Sequence, residues 1–146
     1  MTSCQDGWVS WSDSCFLLVM ALETHNDASA HCATLDAELA TITSVEENTA
    51  VANYLLAEKF VHQVHIGGND NALEGSWVWE TGEPFFFDSW EVTMGQPTGT
   101  ADENCLAMKS TGGWHDIACS SSNAFVCEIG PPPDYYDYGV VYIGIP

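Results

Sequence analysis

A chain of 146 residues, 46% of them hydrophobic and six of them tryptophan, carries enough apolar mass for one domain with a core and excludes a disordered polymer. Its 21 acidic residues against two lysines, Lys59 and Lys109, give a formal charge of −19. That balance offers a polyanion almost no cations with which to displace counterions, so DNA, RNA and anionic membranes are excluded as partners, while divalent cations, cationic partners and plain solubility in salt stay open.

The predicted elements begin with a hairpin. In "CQDGWVSWSDSCFLLVMALE" two β-prone runs flank a turn at Ser12-Asp13-Ser14, with Cys4 and Cys15 positioned to staple it. The alanines and polar helix formers of "NDASAHCATLDAEL" then predict a helix capped by Asn26, with Ala30, Cys32 and Ala33 facing inward. Ser44 and Glu47 have capping-box spacing ahead of "NTAVANYLLAEKF", where Ala50, Val51, Tyr54 and Leu55 recur at helical spacing and predict a second helix. After residue 60 the helical period ends, and "VHIGG", "GSWVWETG", "CLAMK", "GGWHD" and "AFVCEI" read as short strands between turns. Between Asn69 and Asn104 only "WVW" reads as a strand; a loop that long in a compact domain is either functional or a misassigned element. From residue 130, "GPPPDYYDYGVVYIGIP" opens on three prolines and closes on a β-prone apolar run, so the expected organisation is a domain over residues 1–129 and a tail over 130–146.

Six cysteines in so short a chain favour three disulfides and an oxidising compartment, with all 15 pairings open. Their spacings lack the short gaps of zinc ribbons and fingers. The first residues lack the basic and apolar regions of a signal peptide, and no run of about 18 apolar residues occurs, so the expectation is a mature secreted form in which Met1 was added for expression.

The order hairpin, two helices, loop-rich antiparallel region, together with "GWVSWSDSCF", "AHCATLDAELATITSVEEN", "HIGGND", "GSWVWETG", "ENCLAM", "GGWHDIAC" and "FVCE", resembles the long form of the C-type lectin-like domain family over roughly residues 4 to 128. The resemblance implies an α+β fold: two helices, antiparallel sheets and a long irregular loop region. It also implies the pairings Cys4 with Cys15, Cys32 with Cys127 and Cys105 with Cys119. Sugar-binding members hold Ca²⁺ with a pair flanking a cis proline, a glutamate before the next cysteine, and an Asn-Asp pair after a tryptophan. Carried over by motif, the sugar-binding set becomes Gln96, Thr98, Glu103, His115 and Asp116, and the metal set Gln96, Thr98, Glu103 and Asp116.

Calcium takes six to eight oxygens, and its affinity follows the charge and rigidity of the cage. Two carboxylates, one amide carbonyl and one hydroxyl predict a weak site, with a dissociation constant on the order of 10⁻⁴ to 10⁻³ M. The imidazole of His115 suits zinc or copper better, which assigns it to a ligand, a neighbour or solvent. Gln96 puts the amide first, the order the resemblance links to galactose-type sugars; Thr98 stands where an acid would complete the pair.

The remaining candidates read as follows. Glu83-Pro84 is a decoy for the proline pair, since Phe85 follows it. Trp90 and Trp114 are core residues before they are a sugar face, and Phe85, Phe86 and Phe87 anchor the long loop. His62 and His65, three apart in a strand, face opposite sides and make no metal pair. Glu47 and Glu128 match positions where some family members bind a structural calcium. Asp134 to Tyr138 form an acidic tyrosine cluster open to sulfation. The leading expectation is a carbohydrate-binding lectin of glycans or glycoproteins, with weak calcium dependence and self-association for avidity. The alternative is a structural or protein-interaction module assembling through its tail. No catalytic motif is present, which predicts no enzyme.

Overall fold

The computed structural model describes residues 4–131; the tail over 132–146, its tyrosine cluster included, lies outside the described residues. The hairpin forms from strands β1 (Val9–Trp11) and β2 (Ser14–Glu23), with Ser12 at φ 51° making the tight turn between them. β2 pairs antiparallel with the last strand, β8 (Asn123–Ile129), matching Cys15 to Ile129 and Leu18 to Val126. Early and late chain are thus neighbours, and the disulfides Cys4–Cys15 and Cys32–Cys127 fasten both to the same sheet.

Helix α1 (His25–Thr34) starts two residues earlier than Asn26 capping would give, because Thr24 Oγ1 accepts the Asp27 N–H at 3.2 Å. It stops where Asp36 turns left-handed at φ 56°, and Glu38–Leu39 peels off as β3, pairing with β8. His25, Ala28 and Cys32 face inward, while Ala30 and Ala33 face solvent. The Cys32–Cys127 bridge fixes that phase, and an alanine-rich sequence offers no apolar stripe to contest it. Helix α2 (Val45–Ala57) is capped by Ser44, whose Oγ accepts Glu47 N–H at 3.1 Å. Glu47 reaches back one residue further than a capping box would, to the Thr43 N–H at 2.9 Å. Val51, Ala52 and Leu55 bury the inner face.

The remaining strands are β4 (Val64–Asn69), β5 (Val78–Trp79), β6 (Cys105–Met108) and β7 (Trp114–Ile117). The sheet runs β1-β2-β8-β4-β6-β7, with β3 on β8 and β5 on β4; only β4 with β8 is parallel among the named pairs. Trp114 is the hub of the core. Fully buried, it meets Trp79, Phe85, Phe87 and Trp90 edge-on, and its Nε1 donates to Asn48 Oδ1 at 2.8 Å, so burying the indole strands no polar atom. Phe85 and Phe87 anchor the long loop on these indoles, but Phe86 is 91% exposed. Three aromatics in a row cannot all face one side.

Two buried titratable sites lie away from the long loop. His65 is wholly buried, its Nε2 donating to Glu23 O at 2.8 Å and its Nδ1 unpartnered. Burial, with the edge-on His25 ring 5.2 Å away adding a smaller effect, lowers its pKa to about 4. His62 is exposed against Phe60 and makes no pair with it. The carboxyls of Glu47 and Glu128 share a cavity of about 910 Å³ with Glu83, Trp11 and Thr43. There burial first, and then the charge of Glu47, pushes Glu128 up to about 8. Glu83 therefore belongs to this cavity and not to the proline pair at residues 96–98.

Candidate functional site

The site is assembled on β7. β7 pairs with β6 in the register Leu106 to Asp116 and Ala107 to His115, and the Cys105–Cys119 disulfide closes its open end. His115 and Asp116 are strand neighbours whose side chains take different partners here. Asp116 is 2% exposed and faces the long loop. His115 faces the other way, where its Nε2 makes a short hydrogen bond to Glu91 Oε1, and Lys109 Nζ lies 4.0 Å from the same oxygen.

The loop reaches Asp116 through a short 3-10 turn (Val92–Met94) that ends at Gly95, φ 77°, and a cis Gln96–Pro97 peptide. Asp116 Oδ1 accepts the Thr98 N–H at 2.8 Å, and its Oδ2 accepts the Gly99 N–H at 3.0 Å. In return the Asp116 N–H donates to Gln96 Oε1 at 3.1 Å. The Thr98 hydroxyl sits between two carboxylates, donating to Glu103 Oε1 with Asp116 Oδ2 at 3.1 Å. Thr100 Oγ1 also donates to Glu103 Oε1, at 2.9 Å. Four of the five expected residues, Gln96, Thr98, Glu103 and Asp116, are thus brought together, and His115 is not.

These bonds decide whether calcium fits. Both Asp116 oxygens, the Gln96 carbonyl and one Glu103 oxygen are already occupied by N–H and O–H groups of the chain, and the Thr98 hydroxyl stands between the acids. An ion needing six to eight oxygens would have to share these oxygens with the chain's own donors, with only two charges in the set to hold it. Nor do three carboxylate, imidazole or thiolate groups converge on a metal position anywhere among the described residues. By charge and donor count the set is poor for calcium.

Two groups at this site are unspent. Gln96 Nε2 and Glu103 Oε2 make no hydrogen bond among the described residues, and both side chains are half-buried at the rim. The assignment of the Gln96 oxygen is chemical, since the Asp116 N–H requires an acceptor. An amide donor and a carboxylate acceptor on one loop are the pair of groups a ligand hydroxyl uses, since it accepts one bond and donates another.

Sequence reasoning missed three features. Glu91, the partner of His115, is 24 residues away from it, and no local pattern marks it. Asp70 lies at the end of "HIGGND" and holds the Gly75 N–H at 2.7 Å; its other oxygen, like Asn104 Oδ1, is buried without a partner. The signal for Asp70 was an acid directly after a strand. Glu74, on the surface, has its pKa raised by desolvation and then by the charges of Asp70 and Asp116, so negative charge gathers on this side of the loop.

A two-helix module whose disulfide-stapled sheet carries a long loop closed by a cis proline is a C-type lectin-like domain. The chain belongs to the family described as the lectin C-type domain, whose model matches residues 21–129. It is 31% identical over 135 residues to the alpha-N-acetylgalactosamine-specific lectin of Patiria pectinifera, covering 84% of this chain and 77% of that one. It is 29% identical over 126 residues to human C-type lectin domain family 17, member A, covering 86% of this chain but spanning only 32% of that protein. A solved calcium-independent type II antifreeze protein superposes with a TM-score of 0.79 at 27% identity, covering 88% of this chain and 95% of that one. The family therefore includes lectins and relatives with other activities. No helix among the described residues is long and apolar enough to cross a membrane.

Proposed function

We propose that this domain is a secreted carbohydrate-binding module that grips sugar hydroxyls directly through Gln96 and Glu103, on a loop held in shape by Thr98 and Asp116. One observation carries this reading: the unspent Gln96 amide and Glu103 carboxylate oxygen lie at the rim while every other polar group of the cluster is satisfied internally. A single hydroxyl accepts from Gln96 Nε2 and donates to Glu103 Oε2, and the cluster needs no metal for that exchange. Galactose-type sugars, N-acetylgalactosamine included, are the first ligands to test, since Gln96 leads with its amide and a relative is named for that sugar. Two such bonds in open water give weak binding per site, so useful retention needs several sites together.

The test is a glycan array run in calcium and again in chelator. Equal binding in both supports direct recognition, and loss in chelator refutes the metal-free part. Silence on every glycan refutes the lectin reading and leaves the second one, a non-catalytic interaction module. That reading is favoured by the internal bonds of Thr98 and Asp116, because a cluster tied to itself also serves as a plain structural clasp.

A further inference from the structure

We propose that a groove at the far end of β6 from the sugar cluster is the docking site for the acidic tyrosine tail of a second copy of this chain. The groove, about 550 Å³, is walled by Leu22, Phe60, Val61, His62, Gln63 and Lys109. Leu22 is 68% and Val61 72% exposed, an apolar lip left open to water.

Its charge sets it apart from the rest of the surface. In a chain with 21 acids no carboxylate lines this groove. One of the two lysines, Lys109, lines it, and the other, Lys59, directly precedes Phe60 in its wall. Glu91 answers part of the Lys109 charge from 4.0 Å, but Glu91 is already bonded to His115. Apolar walls with the Lys109 ammonium among them call for an acidic ligand with aromatic and aliphatic side chains. The chain carries such a segment in "DYYDYGVVYI", residues 134–143, and little else on this protein would tolerate so much negative charge beside it.

Reach makes the occupant another molecule's tail. Residue 131 follows the end of β8 at Ile129, while the groove lies at the opposite end of that strand, at Asn123. β8 has seven residues, a span of about 20 Å at ~3.3 Å per residue. Its own tail, doubling back, would spend residues 132–138 covering that distance, leaving Asp134, Tyr135 and Asp137 short of the lysines. A second copy's tail has no such constraint and brings acids to the lysines and the Val140–Ile143 run to Leu22, Phe60 and Val61 together. Docking there leaves Gln96 and Glu103 free, which supplies the multiple sites that weak sugar binding needs. The inference does not depend on sugar binding, and its test is made without sugar.

The full chain is mixed in equal parts as ¹⁴N and ¹⁵N forms, coupled with carbodiimide to join touching lysine and carboxylate groups, and digested. Peptides pairing Lys59 or Lys109 of one isotope with Asp134 or Asp137 of the other are expected. Sedimentation should show reversible self-association weakened at least tenfold by Val61→Asp, which leaves the core untouched. It should be weakened likewise by Asp134→Lys/Asp137→Lys, and regained when that pair is combined with Lys59→Glu/Lys109→Glu. Same-isotope links alone would show each tail on its own groove and overturn the proposal. So would a chain that stays monomeric, or one whose association ignores Val61→Asp.

Discussion

Acidification should weaken this fold through His65 in particular. Its ring is wholly buried, with Nε2 donating to Glu23 O and Nδ1 unpartnered. Its pKa falls from 6.5 to about 4 on folding. The unfolded chain therefore takes up a proton that the folded chain refuses, and stability is lost as pH drops below 6.5 until the folded ring also protonates near 4. At roughly 1.4 kcal/mol per pH unit, the loss attributable to this ring is about 3 kcal/mol. Carboxylates titrate at the lower end of the same window, so the measurement is a difference. His65→Gln keeps an amide donor for Glu23 O and removes the titration. Urea unfolding of both proteins at pH 7.5, 6, 5 and 4, disulfides intact, should show the variant gaining about 3 kcal/mol on the wild type across the series. A gap that stays constant from pH 7.5 to 4 would refute the buried neutral imidazole.

Glu128→Gln should act at the other end of the scale: a folded pKa of about 8 against 4.5 unfolded means wild-type stability falls as pH rises between those values, so the variant gains on the order of 2–4 kcal/mol by pH 8 in thermal melts. Asn48→Ala removes the acceptor of the buried Trp114 Nε1 and should cost about 2–3 kcal/mol by chemical denaturation. Asp116→Asn keeps a single acceptor oxygen for the two N–H groups of Thr98 and Gly99; their hydrogen exchange should accelerate, with a stability loss of about 1–3 kcal/mol, while the core amides keep their protection.

What the sequence made legible followed the strength of its local patterns. α2 was readable because a capping serine precedes Val51 and Leu55 at helical spacing. The phase of α1 was not, because its alanines fit either face and a disulfide 95 residues long decides between them. The long loop was recognisable by its lack of period, yet which of Phe85, Phe86 and Phe87 turns outward depends on indoles contributed by β5 and β7. At the candidate site, Gln96, Thr98, Glu103 and Asp116 could be grouped by motif. The separation of His115 from Asp116 was not legible, since it depends on Glu91, a partner 24 residues away. Their hydrogen bonds were out of reach, for whether an oxygen is free or spent is a matter of ångströms that no residue pattern records.

The loop over residues 96–103 is tied down by its own backbone amides and one hydroxyl. A loop fastened from within is expected to keep its outline in ion-poor fluid as in ion-rich fluid. On the proposed reading, withdrawing mineral salts, the ordinary way to make a receptor drop its cargo, would have no purchase on it.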